Sequence, residues 1–573
     1  MPVANTEIAE LFERYATLLE IDGANPFRVR AYRNAARTLE NLPQSAVSML
    51  EAGENLSELS GIGRDLADKI EAIARSGRFD ELEDLQEDLP ASLAEIAALP
   101  GVGPKRATKL HDELGVTSLD DLRQAAEDEK VREVEGFGAK TEQKILDAIA
   151  RRAGSEKRYR LASAEQMAAP LLDHLRDHSG VKQAEIAGSY RRRKETVGDL
   201  DILVTAKRGA EVMDHFVAYD DVEEVVSKGS TRSTVRLKSG LQVDLRVVPA
   251  AGWGAALHYF TGSKAHNVHT RRIAAGKGWK LNEYGLFEDD ERIAGKTEDE
   301  VYAALGLAYV EPELREDRGE IEAARNGKLP KLVTVEDLEG DLHCHTEASD
   351  GRDDLETMAR TAREQGHAYL AISDHSEHMR VAGGLSAKRL REQLAAIDEL
   401  NDGFDDFRLL KALEVDILQD GKLDMDPDVL DELDLRICSI HDALDLPSDK
   451  QTERLLKAMD DPRCTIVAHP TGRLIGEREP YPLDLERVMQ AALERGCFLE
   501  INAQPQRLDL ADRHARMAKE MGLKLAVSTD AHSASGLAFL RFGIDQARRA
   551  WLEADDVLNT RSWPELEKLL RRD

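Results

Sequence analysis

Apolar positions change their spacing twice along the chain, and each change marks a different kind of structure. Through residue 150, apolar residues such as Ile8 and Phe12 recur at steps of three and four, which predicts helices. Between residues 155 and 310, short β-branched runs mix with helical segments, which predicts a mostly antiparallel α+β region. From residue 338 onward, short apolar strands alternate with helices, which predicts a parallel sheet or barrel.

The sequence as a whole predicts a multi-domain chain with five segments. They are a helical domain at 1–85, a second helical domain at 86–155, an α+β domain at 156–310, a charged linker or strapping segment at 311–337, and a strand–helix repeat at 338–573.

Composition narrows the classes of function. The 573 residues carry a formal net charge of −31, so a uniformly basic coat for nucleic acid is excluded. The four cysteines lie far apart without a C-x-x-C pair, which argues against a disulfide framework and an all-cysteine zinc site. No stretch approaches the ~18 apolar residues of a membrane helix, and no signal-peptide core is present. We therefore expect a cytoplasmic protein without a membrane partner.

A glycine-containing unit occurs three times in the helical region, at 59–70, 99–110 and 134–145. Each copy has an apolar residue, a turn, G-x-G and the start of a helix, so backbone N–H groups can face a phosphate. The alternative, that each glycine pair only separates two helices, is disfavoured by the repetition. The units resemble helix-hairpin-helix motifs and predict sequence-independent DNA binding. The expected DNA contacts are Gly61, Gly63, Lys69, Gly101, Gly103, Lys105, Gly136 and Gly138.

A pair of aspartates opens a β-branched run in the α+β region. Asp199 and Asp201 are two residues apart, so in a strand they point to the same face, and Asp244 of a later strand is the candidate third carboxylate. Carboxylates held this close need a cation, and Mg²⁺ suits oxygen ligands and phosphoryl transfer. A solvated strand start is the alternative. The preceding Gly188, Ser189 and Arg192, which can reach a triphosphate, make that alternative less favourable.

Histidines and carboxylates follow the apolar runs of the C-terminal region. Nine of them form the predicted metal set: His343, His345, Asp350, His375, Glu414, His441, His469, Asp530 and His532. On a strand–helix barrel these strand ends meet at one face. Imidazoles with carboxylates suit Zn²⁺ or Mn²⁺, and their number predicts two or three ions. Such a centre would hydrolyse phosphoesters.

The α+β region resembles the nucleotidyltransferase palm of family X DNA polymerases. The shared motifs are G-S-x-R-R with G-D-x-D at 188–201, the third aspartate Asp244, Y-F-T-G-S at 259–263 and N-E-Y-G at 282–285. The resemblance implies catalysis by the three aspartates and a triphosphate held by Ser189 and Arg192. It also implies that Tyr259, Phe260 and Gly262 border the nucleotide sugar, and that Asn267 lies beside the nascent base pair.

The N-terminal region resembles the small DNA-gap-binding domain of the same family. The resemblance makes Lys69 the counterpart of the lysine that forms a Schiff base in relatives with 5′-deoxyribose phosphate lyase activity. A Schiff base needs a neutral amine, and the acidic neighbours Asp65 and Asp68 oppose it. Lys69 is therefore better interpreted as a DNA-phosphate contact than as a lyase residue.

The C-terminal region resembles the polymerase-and-histidinol-phosphatase (PHP) domain. The resemblance implies a distorted β/α barrel that binds up to three metal ions, and all nine of its expected ligand positions carry suitable residues. Cys344 should point away from the ions, and Asp374 is expected to orient a ligand histidine.

Together the resemblances cover nearly the whole chain and imply a bacterial-type family X polymerase with a C-terminal PHP domain. The first hypothesis is a gap-filling repair polymerase that uses gapped or primer–template DNA and dNTPs. Its PHP domain would be a 3′–5′ exonuclease, and abasic-site endonuclease is a further candidate activity. The alternative makes the PHP phosphodiesterase the main activity and the front half a DNA-binding module. A monomer is the default expectation.

Overall fold

The computed structural model describes residues 5–40, 42, 45–59, 61–99, 101–154 and 157–571. Ser60 and Pro100, which fall within two predicted hairpins, and the predicted domain boundary at residue 155 lie outside the described residues. The chain divides into two compact units. The first comprises Met1–Tyr159, Ser163–Ser179 and Ala210–Asp244, and the second comprises Arg160–Ala162, Gly180–Gly209 and Leu245–Asp573.

The region predicted to be helical forms nine α-helices among its described residues. They are α1 Asn5–Ile21, α2 Pro26–Glu40, α3 Ala46–Glu51, α4 Arg64–Ser76, α5 Asp80–Asp88, α6 Ser92–Ala97, α7 Gly103–Leu114, α8 Leu119–Glu127 and α9 Ala139–Gly154. Two 3₁₀ turns, Leu56–Glu58 and Val131–Glu133, precede α4 and α9. Apolar faces meet in a core where the rings of Phe12 and Tyr32 pack edge to face, 5.3 Å between centroids. The helical prediction is confirmed.

The α+β region begins with a strand pair and a long helix. Its elements are β1 Tyr159–Arg160, α10 Leu161–Asp177, β2 Val181–Ile186, α11 Gly188–Arg191, β3 Thr196–Val197, β4 Asp199–Ala206, α12 Gly209–Val217, β5 Val222–Lys228, β6 Arg232–Leu237 and β7 Gln242–Val247. Strand β2 pairs antiparallel with β4, and β5 pairs antiparallel with β6. These pairings confirm the predicted antiparallel character.

Helices and a small meander follow β7. They are α13 Trp253–Thr261, α14 Lys264–Gly276, β8 Trp279–Asn282, β9 Gly285–Glu288, β10 Glu291–Ala294, α15 Glu298–Leu305 and α16 Glu320–Arg325. The three strands form an antiparallel sheet in the order β10-β9-β8. The hydroxyl of Ser263 accepts a hydrogen bond from the backbone N–H of His266 and so caps the start of α14.

The segment 311–337 is a packed strap, not an exposed linker. Arg315 is fully buried, forms an ion pair with Glu298 and lies 5.2 Å from the centre of the Tyr302 ring. Glu320 is also fully buried, with its Oε1 atom 2.6 Å from Nδ1 of His266. Of the two predicted alternatives, a linker or a strapping segment, these contacts favour the strap, because Arg315 and Glu320 pair inside the fold with Glu298 and His266.

The C-terminal region is a seven-stranded parallel barrel in which the strands follow chain order. Its elements are β11 Gly340–Cys344, α17 Leu355–Glu364, β12 Tyr369–Ile372, α18 Ala387–Asn401, β13 Arg408–Asp416, α19 Pro427–Leu430, β14 Leu435–Ser439, α20 Ser448–Asp460, β15 Ile466–Val467, α21 Leu485–Arg495, β16 Phe498–Asn502, α22 Asp512–Met521, β17 Leu525–Ser528, α23 Leu540–Arg549 and α24 Trp563–Leu570. The N–H of His345 donates to the carbonyl of Ala531 at 2.8 Å, which brings β11 against the end of β17 and nearly closes the barrel. The predicted distorted β/α barrel is confirmed.

Ion pairs join the barrel to the preceding part of the second unit. Arg473 Nη2 lies 2.7 Å from an oxygen of Glu195, and Arg193 lies 3.7 Å from Asp545 of α23. Arg549, at the end of α23, donates from Nη1 to the main-chain carbonyl of Arg192 at 2.7 Å. Among the described residues, no helix combines the length and the apolar character needed to cross a membrane.

Candidate active sites

The nine side chains predicted to bind metal lie at or just beyond the carboxyl ends of the barrel strands. His343 is on β11 and Glu414 is on β13, while His375, His441 and His469 follow β12, β14 and β15. The remaining members lie in the loop after β11 (His345 and Asp350) and in the loop after β17 (Asp530 and His532). Parallel strands end at one edge of a barrel, which is why residues spread over 190 positions can meet there.

The structure brings these side chains together in three overlapping sets. The sets are His345, Asp350, His375 and His532; His343, His345 and Asp530; and His375, Glu414 and His441. Within each set the candidate ligand atoms lie within 4.8 Å of one another. His469 joins them because its Nε2 atom lies 3.1 Å from Oε1 of Glu414. His345 and His375 each belong to two of the sets, so the three sets form one continuous cluster.

The histidine nitrogens of this cluster are placed where they could bind metal ions. Nε2 of His343 lies 3.2 Å from Nε2 of His345, in a fully buried position. Nδ1 of His345 is buried and has no hydrogen-bond partner among the described residues, and Nδ1 of His375 lies 2.9 Å from Oε2 of Glu414. Imidazole nitrogens facing one another and facing carboxylates are the ligand set of Zn²⁺ or Mn²⁺.

The electrostatics of this cluster favour positive charge. Burial alone lowers the pKa of a histidine, yet Glu414 and Asp350 raise the pKa of His375 to about 11. In the same way, Glu414 and Asp416 outweigh burial and raise the pKa of His441 to about 9. Burial would raise the pKa of Glu414, but the surrounding histidines hold it well below its ordinary value. The site is therefore built to stabilise cations, whether protons or metal ions.

Two buried carboxylates support the ligands and were not singled out from the sequence. Oε1 of Glu500, on β16, lies 2.8 Å from Nδ1 of His343, and its Oε2 atom accepts the backbone N–H of His469 at 2.8 Å. Asp416, on β13, lies 2.8 Å from Nδ1 of His441. Such contacts fix the ring and direct the other nitrogen toward a metal. An acidic residue inside an otherwise apolar strand was the available sequence signal.

The expectation for Asp374 is wrong in detail. Its carboxylate accepts hydrogen bonds from the backbone N–H of Thr346 at 2.9 Å and from Nε2 of Gln393 at 2.6 Å. It therefore holds the loop that carries His345 rather than a histidine ring. Cys344 is buried and its thiol contacts the carbonyl of Ala371, as a core residue. Arg507, to which the sequence assigned no role, lies 3.7 Å from Oδ2 of Asp530.

The palm aspartates stand on a strand whose local geometry fits their predicted role. Asp199 is exposed and Asp201 is half-buried, while the intervening Leu200 is fully buried, so both carboxylates point away from the core. Gly188 has φ +65°, and a Cβ there would lie 3.0 Å from Oδ2 of Asp201. Only glycine fits this close approach without strain.

The third aspartate lies on β7, in the first unit. Asp244 is buried, accepts a hydrogen bond from the hydroxyl of Thr234 and lies 3.5 Å from Arg232. A carboxylate-only donor set fits Mg²⁺, which prefers oxygen ligands.

The residues predicted to border the nucleotide form a compact corner. Nδ2 of Asn267 donates to the carbonyls of Tyr259 at 2.6 Å and Gly262 at 3.0 Å. A Cβ on Gly262 would lie 2.8 Å from Oδ1 of Asn267, so a side chain there would push the asparagine away. The ring of Phe260 lies beneath the guanidinium of Arg246, 4.5 Å from its centroid. These four predicted residues are close neighbours.

Arg192 already has an anionic partner. Its Nε atom lies 2.9 Å from Oε1 of Glu316, and its Nη1 atom donates to the carbonyl of Thr261 at 2.7 Å. Ser189, in α11, is half-buried, and its carbonyl accepts the backbone N–H of Lys194 at 3.1 Å. The sequence did not predict the partner of Arg192, which lies 124 residues away.

The three glycine hairpins share one backbone form. Gly61, Gly101 and Gly136 have φ between +76° and +94°, a region that other residues rarely adopt. The second glycines of the pairs are Gly63, Gly103 and Gly138, and a Cβ added to any of them would meet no atom within 4 Å. Lys105, in α7, is exposed. Open backbone at a helix start is what a phosphate contact needs.

Lys69 lines a pocket of about 920 Å³ together with Arg28, Tyr32 and Gly61. Its Nζ atom lies 2.5 Å from Asp65 and 3.4 Å from Glu81. Burial lowers the pKa of this lysine, but its hydrogen bond to Asp65 and the negative charges of Asp65 and Glu81 together raise the pKa above its ordinary value. A charged ammonium suits a phosphate contact and is a poor nucleophile.

Family models match most of the chain up to residue 503. They are a helix-hairpin-helix domain at residues 3–79, a SAM-like helix-hairpin-helix tandem at 69–115 and 93–151, DNA polymerase beta palm at 162–248, DNA polymerase beta thumb at 256–316 and a PHP domain at 341–503.

Similar proteins include full-length and partial relatives. The chain is 38% identical over 570 residues to the DNA polymerase/3′-5′ exonuclease PolX of Bacillus subtilis (strain 168), covering 99% of each protein. It is 27% identical to DNA polymerase lambda of Arabidopsis thaliana over 55% of this chain and 62% of that protein. A probable phosphatase of Thermoanaerobacter sp. (strain X514) is 31% identical over 38% of this chain and 89% of that protein.

Proposed function

The chain belongs to the PolX family, the family X DNA polymerases that end in a PHP domain, and from this premise we propose that it fills short gaps in DNA during repair. The same chain is a 3′–5′ exonuclease through its barrel. The observation that carries the proposal is that the chain aligns over 99% of its length with a relative named for both activities. The overlapping sets of potential metal ligands in the barrel support it.

Asp199, Asp201 and Asp244 would hold Mg²⁺, which neutralises charge on the triphosphate and on the leaving pyrophosphate in phosphoryl transfer. The primer 3′-oxygen forms a bond to the α-phosphorus while the bond to pyrophosphate breaks. Asp244 is the proposed acceptor of the 3′-hydroxyl proton. Ser189 and Arg192 hold the triphosphate, and Gly188 leaves room for this arrangement because a Cβ would meet Asp201.

The corner formed by Tyr259, Phe260, Gly262 and Asn267 selects the nucleotide. The backbone and ring at Tyr259 and Phe260 would exclude a ribose 2′-hydroxyl by direct contact. Asn267, anchored to two carbonyls of the same corner, would reach the edge of the new base pair.

In the barrel, the nine histidines and carboxylates would hold two or three Zn²⁺ or Mn²⁺ ions, which supply a hydroxide nucleophile and stabilise charge on the phosphate. Arg507, close to Asp530, is a proposed contact of the scissile phosphate. The exonuclease cuts the terminal phosphodiester of a 3′ end, and incision at abasic sites is a further proposed activity of this site.

DNA binding relies on the three hairpins, with Lys69 as a phosphate contact and not as a lyase residue. This explains how a chain with net charge −31 binds a polyanion, since the contacts are local amides and single cations. We propose that a cytoplasmic monomer performs these reactions on gapped DNA and dNTPs.

A single assay separates this proposal from the alternative in which the barrel is the main activity. A gapped duplex with a 5′-labelled primer is incubated with dNTPs and either Mg²⁺ or Mn²⁺, and both extension and shortening are followed. We expect extension to the end of the gap with Mg²⁺, and shortening when dNTPs are omitted and Mn²⁺ is present. Shortening without extension under every condition would favour the alternative.

A further inference from the structure

The guanidinium of Arg192 is occupied on two edges. Its Nε atom donates to Oε1 of Glu316 at 2.9 Å, and its Nη1 atom donates to the carbonyl of Thr261 at 2.7 Å. A guanidinium grips a phosphate with two parallel N–H groups, either Nε with Nη2 or Nη1 with Nη2. Nε has a single N–H, which Glu316 already accepts, whereas each Nη nitrogen carries two. A triphosphate that is gripped through Nε and Nη2 must therefore take the place of Glu316.

Glu316 is a fixed part of this corner, not a mobile surface side chain. Both Glu316 and Arg192 are only 12% exposed. The preceding residue is Arg315, whose main-chain carbonyl accepts a hydrogen bond from the backbone N–H of Ser263 at 3.0 Å. Ser263 directly follows Gly262. Burial raises the pKa of Glu316, but Arg192 and Arg549 outweigh it and lower the pKa, so the side chain is a carboxylate.

Glu316 has a second cation that remains after Arg192 is withdrawn. Nη1 of the buried Arg549 lies 3.3 Å from Oε1 of Glu316. Nη2 of Arg549 lies 2.7 Å from Asp512, which also pairs with Arg318 at 3.0 Å. Opposite charges thus alternate from the nucleotide corner into the barrel. Because Arg549 neutralises Glu316, losing the contact with Arg192 does not leave a buried carboxylate unpaired.

We propose that Glu316 is a positioning residue that occupies Arg192 in the nucleotide-free protein, and that the incoming triphosphate displaces it while Arg549 retains it. The inference rests on the proposed assignment of Arg192 to the triphosphate. Glu316 orders the arginine before substrate arrives and lowers nucleotide affinity by competing for the same guanidinium.

The test compares Glu316→Gln with Glu316→Asp and with Glu336→Gln, an exposed residue of the same strap. Gap filling by the full chain is measured as a function of dNTP concentration, with inorganic tripolyphosphate as a competing anion. We expect Glu316→Gln to lower both the KM for dNTP and the inhibition constant of tripolyphosphate about fivefold, as loss of a half-buried ion pair suggests. Turnover number, exonuclease rate and unfolding temperature should stay close to those of the unaltered protein.

Glu316→Asp, which keeps the charge, should restore most of the original KM, and Glu336→Gln should leave it unchanged. An unchanged or higher KM in Glu316→Gln would overturn the inference. Arg192→Ala tests the assignment of Arg192 to the triphosphate separately from the role of Glu316. If it raises the KM at least tenfold, the triphosphate assignment stands whatever Glu316→Gln shows; if it does not, that assignment and the inference fall together.

Discussion

The side chains proposed to bind metal differ in burial between the palm and the barrel. In the barrel, His343 and Glu414 are fully buried and tied to a further buried carboxylate, Glu500. In the palm, Asp199 is exposed and Asp201 half-buried at the start of one strand. The barrel side chains are held by contacts within the fold, whereas Asp199 and Asp201 reach the surface and only the third palm aspartate, Asp244, is buried.

Under the proposed function, this difference follows from the ions and substrates that the two sites would bind. Imidazole-rich sites bind borderline ions tightly and can keep them between turnovers. Mg²⁺ loses its water reluctantly and is usually held by few carboxylates together with substrate phosphates. The palm therefore needs the nucleotide to complete its site, and the barrel needs only its ions.

The largest expected effect tests the palm alone. Replacing both aspartates, Asp199→Asn with Asp201→Asn, should lower gap filling about 10³-fold or more, because charge on the triphosphate loses its counter-ions. Exonuclease activity should persist, since these residues lie outside the barrel. Asp289→Asn with Asp290→Asn, two exposed carboxylates of the β9–β10 turn, is the matched control. Extension at the normal rate would refute the assignment of the palm site.

The reciprocal change tests the barrel. His343→Ala with His345→Ala should lower exonuclease activity by about 10²-fold or more, because both residues belong to overlapping ligand sets. Gap filling should remain. His367→Ala, which replaces a buried histidine of the same region outside the sets, controls for packing loss. Digestion that survives the double change would place the nuclease elsewhere.

A smaller effect tests whether the barrel is organised beforehand. Glu500→Gln removes the carboxylate that fixes His343 and should weaken metal affinity about 10- to 100-fold. The measurement is recovery of exonuclease activity during Mn²⁺ titration after chelation, with the exposed Glu486→Gln as control. Identical titration curves would mean that the ligands need no support from Glu500.

The smallest effect tests steric fit in the palm. Gly188→Ala places a methyl group 3.0 Å from Asp201 at φ +65° and should reduce gap filling about tenfold, equivalent to roughly 1–2 kcal/mol of strain. Gly276→Ala, at an exposed glycine of α14 with no close neighbours, should be harmless. If both variants fill gaps equally well, the close approach of backbone and carboxylate has no role.

The sequence predicted which barrel side chains come together, because they lie at or just beyond the ends of apolar strands, and parallel strands end at one edge. His343, on β11, and His345, just after it, show this most clearly, since they were visible as H-x-H. Glu500 was missed because its acidic side chain inside an apolar strand gives no sign of its partner, which lies 157 residues away.

Long-range charge pairing was also beyond the sequence. Arg315 and Glu320 lie in a stretch rich in charge, which indicates solvent exposure, yet both are fully buried. Their burial depends on Glu298 and His266, whose positions are set by the preceding helices. Glu316 could not be predicted as the partner of Arg192 for the same reason, since the two residues lie far apart in the sequence.

The hydrogen bond from Arg549 to the main-chain carbonyl of Arg192 sets a limit on dissecting the protein. A truncated chain ending before residue 338 would lose the donor to this carbonyl, as well as the partners of Arg193 and Glu195. The polymerase half should therefore be impaired when expressed alone, even though every residue of its own site is present. Swapping barrels between relatives would succeed only where the incoming barrel supplies an equivalent of Arg549.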